Sequence, residues 1–296
     1  MLGLIPYFDI PVLELGPVVI DSWATLVALG FVLGLEIARA RAIKLGLDVR
    51  DIVDGIVVIV GMGFLVGHIV HVVAYNPHQL EEQGVMAILR FWAGFSSTGG
   101  FLGAVLGAML FYLVLRKRPF WKHADTVMYG FPFGWVLGRL GCFTAHDHIG
   151  SRSDFLLAVD FPAEVFGGAR HDLGLYEALW TMAIAAAFFA MRNRPVRPGF
   201  FTALFCVMYA PIRFIFDFLR NGDLRGADVR WVGLTPAQWG MIAMFLAGAG
   251  MLFMLRKPAD EDADEADSSG ATATAGGGAD SGDVAAKAEH PDDAQA

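Results

Sequence analysis

Residues 55–75 read GIVVIVGMGFLVGHIVHVVAY, an unbroken apolar run without one Asp, Glu, Lys or Arg. A bilayer core about 30 Å thick is crossed by roughly 20 apolar residues in helical conformation. This stretch therefore predicts a transmembrane helix, and the sequence on either side repeats the pattern. Residues 91–115 and 231–255 are equally free of acidic and basic side chains. Residues 21–37, 126–145, 175–191 and 199–219 are apolar but carry an ionisable group: Asp21, Arg139, Glu177, and Arg213 with Asp217 respectively. The expected fold class is an all-α integral membrane protein with about seven transmembrane helices.

The composition agrees once the chain is divided. Over 296 residues the hydrophobic share is 55% and the charged share only 18%, yet the net charge is −8. The acidity is concentrated after Lys257, where Asp and Glu crowd a segment of Ala, Gly and Ser with no aromatic residue. Such a segment buries too little apolar surface to offset its ordering entropy. Residues 1–257 are expected to form a polytopic membrane domain of slightly basic balance, and residues 258–296 an acidic, disordered cytoplasmic tail. An oily body of this kind excludes an ordinary soluble domain and argues against nucleic-acid binding. Cys142 and Cys206, the two cysteines, are too few for a disulfide framework. No signal peptide is expected, because no Lys or Arg precedes Arg39.

Basic residues follow every odd-numbered span: Arg39, Arg41, Lys44 and Arg50; Arg116, Lys117, Arg118 and Lys122; Arg192, Arg194 and Arg197; Arg256 and Lys257. The positive-inside rule then predicts an external N-terminus and a cytoplasmic C-terminus. The loop after span six is an exception, with Arg220, Arg225 and Arg230 accompanied by Asp223 and Asp228.

Ionisable groups inside spans are costly and mark function. GRLGCFTAHDHIG, residues 138–150, carries Arg139, Cys142, His146, Asp147 and His148 at the external end of span four. Gly138 and Gly141 are expected to keep that helix slim, so that a backbone or a headgroup approaches closely. At the end of span six, YAPIRFIFDFLR sets Arg213, Asp217 and Arg220 on one helix face. One interfacial arginine is explained by snorkelling, and one Arg–Asp pair by internal neutralisation. Two arginine-bearing faces at the same depth point instead to an anionic ligand, and guanidinium suits bidentate phosphate recognition. His171, Tyr176 and Glu177 open span five, and Thr98 stands at the mouth of a stripe formed by Gly99, Gly100, Gly103 and Gly107, for which packing is the first explanation. His68 and His71 have metal-like spacing without a recognisable third ligand. No G-x-S-x-G, H-E-x-x-H or Walker motif occurs. Paired broken helices and repeated halves, the marks of a small transporter, are not evident either.

The order of these clusters, TGGFLG, then GRLGCF with a glycine at position 150, then HDLGLYE, RFIFDFLR and LTPAQ, resembles the prolipoprotein diacylglyceryl transferase family. The resemblance runs from about Trp23 to the end of span seven. It implies transfer of the diacylglyceryl group of phosphatidylglycerol to the lipobox cysteine thiol of a prolipoprotein, in a bacterial plasma (inner) membrane, with the active site toward the external or periplasmic face. It implies phosphatidylglycerol, the prolipoprotein lipobox peptide and the bilayer as partners, with no nucleic acid, cofactor or metal. Carried over residue by residue, it makes Arg139, Arg213, Asp217 and Asp147 catalytic. Substrate-binding residues are expected beside Arg139 at Cys142, Gly150, Thr98, Gly99, Gly100, Tyr176, Glu177 and Arg220.

The departures are specific. The family's histidine before the Gly-Gly pair is Thr98, its signature asparagine is Cys142, its tyrosine after Trp23 is Ala24, and both carboxylates are shortened to Asp217 and Asp147. The general base is then expected at His146 or His148. The alternative reading is a catalytically inactive paralogue that binds anionic phospholipid or lipoprotein precursor.

Overall fold

Backbone amides cannot be left unpaired in hydrocarbon, so apolar runs of this length become helices. In the computed structural model the described residues are 5–16, 18–91, 94–222 and 230–256. The helices are α1 (Ser22–Lys44), α2 (Val49–Val70, continued by a π-helical turn His71–Tyr75), α3 (Pro77–Gln83), α4 (Val85–Leu89), α5 (Ser97–Met109, continued by Leu110–Leu115), α6 (Phe120–Ala145), α7 (Leu173–Ala190), α8 (Phe200–Phe216, continued by a 3₁₀ turn Asp217–Leu219) and α9 (Pro236–Met254). Five helical segments are long and apolar enough to cross a membrane: Val49–Tyr75, Ser97–Leu115, Leu173–Ala190, Phe200–Leu219 and Pro236–Met254. α1 and α6 are long as well, at 23 and 26 residues, but bear more charge. Large apolar side chains on the helices face outward, among them Val57, Phe64, Val105, Leu246 and Phe253. In water such a surface is unfavourable; in lipid it is the expected one. The acidic tail predicted at 258–296, and Asp223, Arg225 and Asp228, lie outside the described residues.

Two predicted spans begin later than the apolar pattern suggests. The run 91–115 becomes helical only at Ser97, because Gly94 has φ +145° and the Ser96 side chain accepts the Gly99 amide at 3.4 Å as an N-cap. The run 231–255 becomes helical only at Pro236. Val232 and Gly233 take positive φ, and Thr235 with Gln238 forms a reciprocal capping box.

Glycine sets the closest helix contacts. A Cβ on Gly134 of α6 would lie 2.3 Å from the Gly30 carbonyl oxygen of α1, and one on Gly130 would lie 2.3 Å from that of Gly34. The predicted slimming residues were Gly138 and Gly141. Gly141 does face the Trp23 backbone at 3.2 Å, but a Cβ on Gly138 meets nothing nearer than Trp135 at 4.0 Å. Gly99, Gly103 and Gly107 seat α5 on α2, where a Cβ would come within 3 Å of Gly67, Val66, Val70 or Met62. An aromatic core of Tyr129, Phe188, Phe201, Phe205 and Tyr209, with Ile184, joins α6, α7 and α8.

The chain is mostly helical, with a small sheet that the sequence reading did not anticipate in its polar loop. β4 (Ile149–Arg152), β5 (Val159–Phe161) and β6 (Gly168–Asp172) join β1 (Ile5–Pro6) in the order β1-β5-β6-β4, parallel between β1 and β5 and antiparallel elsewhere. β2 (Leu13–Leu15) and β3 (Val18–Ile20) form a separate hairpin. The sheet ties three helix ends together. β4 follows α6 after the left-handed His146 (φ +48°), β6 runs into α7 through the Asp172 N-cap, and Gly150 bridges to Arg220 beyond α8. The buried Arg170 donates to the Gly150 and Phe166 carbonyls at 3.2 and 3.4 Å. At the opposite helix ends Lys44 donates to Asn193 Oδ1 at 2.6 Å, and Arg118 pairs with Asp51 at 2.6 Å.

Candidate functional site

The helix ends beneath the sheet bring together side chains distant in sequence. α6 delivers Arg139 near its C-terminus, and the Asp172 cap starts α7 so that Glu177 falls in its second turn. α8, interrupted by Pro211, delivers Arg213 and then Asp217 in the 3₁₀ turn. Glu177 lies between the two arginines: its Oε2 is 3.0 Å from Arg139 Nε and its Oε1 is 3.1 Å from Arg213 Nε. Tyr209 donates its hydroxyl to Glu177 Oε2 at 2.8 Å. Arg213 Nη1 also reaches Asp217 Oδ1 at 3.1 Å, while Asp217 Oδ2 accepts a short hydrogen bond from the Thr235 hydroxyl. Arg220 Nη1 is 4.0 Å from the same Asp217.

Burial makes this pairing necessary. Glu177 and Asp217 are 2% and 1% exposed, and Arg139 is 7% exposed. A lone buried ion costs several kcal/mol, on the order of the stability of the whole domain. Two guanidinium groups facing two carboxylates are formally neutral. The pairing is nevertheless incomplete as hydrogen bonding. Arg139 Nε and Glu177 Oε1 are buried at ion-pair distance but lack hydrogen-bond partners of proper geometry. The two groups are held by charge at contact distance rather than by aligned hydrogen bonds. Trp135 packs under the Arg139 guanidinium at 4.7 Å and touches Phe101 of α5 at 5.7 Å between ring centres.

A second group adjoins the first. Arg139 Nη1 is 3.4 Å from His148 Nε2 and 4.0 Å from Cys142 Sγ. His148 Nδ1 makes a short hydrogen bond with Asp147 Oδ1. Burial opposes a charged His148 and Arg139 opposes it further, yet the Asp147 carboxylate, helped by a hydrogen bond with Cys142, outweighs both and raises the imidazole to about 9.

The predicted site residues divide accordingly. Arg139, Arg213, Asp217 and Glu177 meet in one cluster, Arg220 approaches its edge, and Cys142, Asp147 and His148 adjoin it. His146 is turned elsewhere: its ring nitrogens bond to Asp172 Oδ2 at 2.9 Å and to the Phe8 carbonyl at 3.1 Å, and its ring packs on Tyr7, Phe8, Phe143 and Phe161. Tyr176 shares a 2.9 Å hydrogen bond with His171, whose imidazole burial lowers. Gly150 is a packing residue, since a Cβ there would lie 2.6 Å from both the Leu219 carbonyl and His171. Thr98 is exposed on the first turn of α5, and among the described contacts none joins Thr98, Gly99 or Gly100 to the arginines. Gly99 is explained by its seat on α2, and Gly100 faces Phe95. The metal-like histidines are also accounted for: His68 bonds the Gly94 and Ala87 carbonyls, and His71 bonds Asn76.

Sequence reasoning missed Tyr209, Thr235 and Trp135. Signals existed for the first two. Tyr209 stands one turn before Arg213 on the same face, and T-P-A-Q is a capping box with proline at the first helical position.

Comparison with known proteins bears on this geometry. A family model described as prolipoprotein diacylglyceryl transferase matches residues 11–254. The phosphatidylglycerol–prolipoprotein diacylglyceryl transferase of Bordetella bronchiseptica is 31% identical over 259 residues, covering 86% of this chain and 98% of the relative. The enzyme of the same name from Pasteurella multocida is 32% identical over 225 residues, covering 74% and 81%. That of Bacillus cereus is 30% identical over 258 residues, covering 79% and 91%.

Proposed function

This chain belongs to the prolipoprotein diacylglyceryl transferase family, and we propose that it moves the diacylglyceryl group of phosphatidylglycerol onto the lipobox cysteine thiol of a prolipoprotein. The observation that carries this reading is the convergence of Arg139 and Arg213, from two different helices, on the buried Glu177. In the proposed reaction the acceptor sulfur bonds to the terminal glyceryl carbon while that carbon's bond to the phosphate oxygen breaks. The bonding pair leaves with glycerol phosphate, and the thiol proton passes to a base. Arg139 and Arg213 hold the phosphate and stabilise the charge that grows on it. Glu177 and Tyr209 position both arginines, and Asp217, itself held by Thr235, positions Arg213. His148 Nε2 takes the thiol proton while Asp147 holds Nδ1, as a carboxylate orients a catalytic imidazole elsewhere. The phosphate ester supplies its own leaving group, so no metal or nucleotide enters these steps.

The proposed topology has seven crossings, with α1 and α6 joining the five more apolar segments because they pack glycine to glycine against each other. The N-terminus is external, the C-terminus and the tail from residue 258 cytoplasmic, and the active site external. Supporting this orientation, Lys44, Arg116, Arg118 and Arg192 collect at the helix ends opposite the arginine cluster. The inactive alternative gains nothing from relatives that carry the enzyme's name.

Complementation tests the proposal. In a bacterium depleted of its own transferase, the full chain should restore lipoprotein maturation, and Arg139→Ala and Arg213→Ala should not. A membrane-inserted wild-type chain that leaves prolipoproteins unmodified would refute it.

A further inference from the structure

The turn after α6 gathers three side chains of different chemistry at the edge of the arginine cluster. We propose that Cys142, Asp147 and His148 form a binding site for a zinc-class transition-metal ion, with thiolate, carboxylate and imidazole as ligands. One donor atom from each lies within 4.8 Å of the others. Zinc bonds of about 2.0–2.3 Å place ligand atoms roughly 3.5 Å apart in a tetrahedral site. Closing the site at Nε2 therefore asks the Asp147 carboxylate to leave Nδ1 and swing toward the other ring nitrogen. Cys142 is fixed within α6, but the Asp147 and His148 side chains are 39% and 24% exposed on the turn and can make that movement.

The local backbone explains the convergence. His146 takes a left-handed conformation at φ +48°, and the Asp147 amide returns to the Cys142 carbonyl at 3.3 Å. Residues five and six positions after the cysteine are thereby folded back over it. The same carbonyls make this helix end partially negative, a setting that favours a cation. Arg139 opposes one, standing 4.0 Å from Sγ and 3.4 Å from His148 Nε2. Its charge, however, is met by Glu177 at 3.0 Å. The thiolate and Asp147 then supply two negative charges to a divalent ion. Thiolate with imidazole selects zinc or cobalt over magnesium or calcium.

Asp147 is exposed and His148 half-buried above the buried Cys142, and an ion held at Nε2 occupies the atom assigned above to proton transfer. Such an ion would act as a reversible brake on the enzyme. That consequence rests on the proposed role of His148; the binding itself does not.

The test uses the purified full-length protein in detergent, titrated with cobalt(II) alone and then with zinc(II). Saturation at one cobalt per chain is expected, with a thiolate-to-cobalt charge-transfer band and the visible absorption of tetrahedral cobalt, both removed by zinc. Cys206→Ser should keep the band and Cys142→Ser should abolish it. Asp147→Asn and His148→Asn each remove a ligand and should weaken binding by more than the roughly 10- to 100-fold that loss of an outer-shell partner costs. A wild-type protein without the band, or a band that survives Cys142→Ser, would overturn the site. A parallel transfer assay separates the two readings. Active transfer with no cobalt band sinks the metal site alone, whereas cobalt binding with undiminished transfer supports the site and removes His148 as the base.

Discussion

Replacing Asp147 by Asn removes the charge beside His148 and leaves an amide oxygen to accept from Nδ1. The carboxylate is what lifts the imidazole to about 9, against burial and against Arg139. With it gone, burial and Arg139 favour the neutral ring and only the Cys142 contact still favours the charged one, so the midpoint falls toward the ordinary histidine value of about 6.5. A base titrating near 9 is neutral in about one molecule in a hundred at pH 7. Wild-type kcat/KM should therefore climb about tenfold per pH unit from 7 and level off near 9. In Asp147→Asn the base is already mostly neutral at pH 7, and the profile should level off about two units earlier. The wild-type curve alone does not decide the matter, because a free acceptor thiol ionises near 8.5. Only a base on the enzyme moves when Asp147 changes. The assay is transfer from phosphatidylglycerol in detergent to a lipobox peptide, followed across the range from about pH 6 to 10. Superimposable wild-type and Asp147→Asn profiles, or full activity in His148→Gln, would refute the assignment.

Other substitutions address the cluster and its scaffold. Glu177→Gln leaves two buried guanidinium groups without their shared counter-ion; it should cost about 3–5 kcal/mol in thermal or denaturant unfolding and abolish transfer. Thr235→Ala removes an N-cap and the hydroxyl bonded to Asp217, so a loss of about 1–2 kcal/mol is expected, with Thr235→Ser recovering most of it. Gly134→Leu places atoms where the Gly30 carbonyl oxygen already stands 2.3 Å from the Cβ position, and should prevent α1 from docking, detected as protease sensitivity of the membrane-inserted chain. Gly138→Ala on the same helix meets only Trp135 at 4.0 Å and should not destabilise the fold, with a gain of at most about 1 kcal/mol from helix propensity.

The helices were legible because lipid imposes a length and a composition that a single sequence displays. Which glycines carry the packing was not. A stripe of small residues fixes a helix face only when the partner is known, so Gly130 and Gly134 were passed over while Gly138 was selected. The sheet escaped for a different reason. Its strands are three to five residues long outside the short β1 pair, and they are held by a buried arginine, a bridge to Arg220 and a helix cap. None of these features leaves a periodic pattern.

The arginines and carboxylates announced themselves by standing in apolar runs, but their hierarchy did not. Glu177 stands in the sequence with His171 and Tyr176 at the opening of span five, and only the meeting of α6, α7 and α8 makes it the hub. Glu177 and Asp217 face Arg139, Arg213 and, at 4.0 Å, Arg220, so the proposed phosphate would meet one guanidinium charge in excess. The two departures from the family pattern also become connected. Thr98, where the family has histidine, is exposed on α5, whose link to the cluster is the stack from Phe101 through Trp135 to Arg139. His148 reaches the same Arg139 from the α6 turn, bringing an imidazole and its carboxylate to that guanidinium. In the reading proposed above the base stands on the α6 turn rather than on α5, and Arg139, paired with Glu177 and packed on Trp135, is the group that both helices reach. Restoring histidine at position 98 should therefore add little to the wild-type enzyme but recover part of the activity lost in His148→Gln, as a transfer assay on the double variant would reveal. No recovery would mean that the mouth of α5 does not face the reacting thiol.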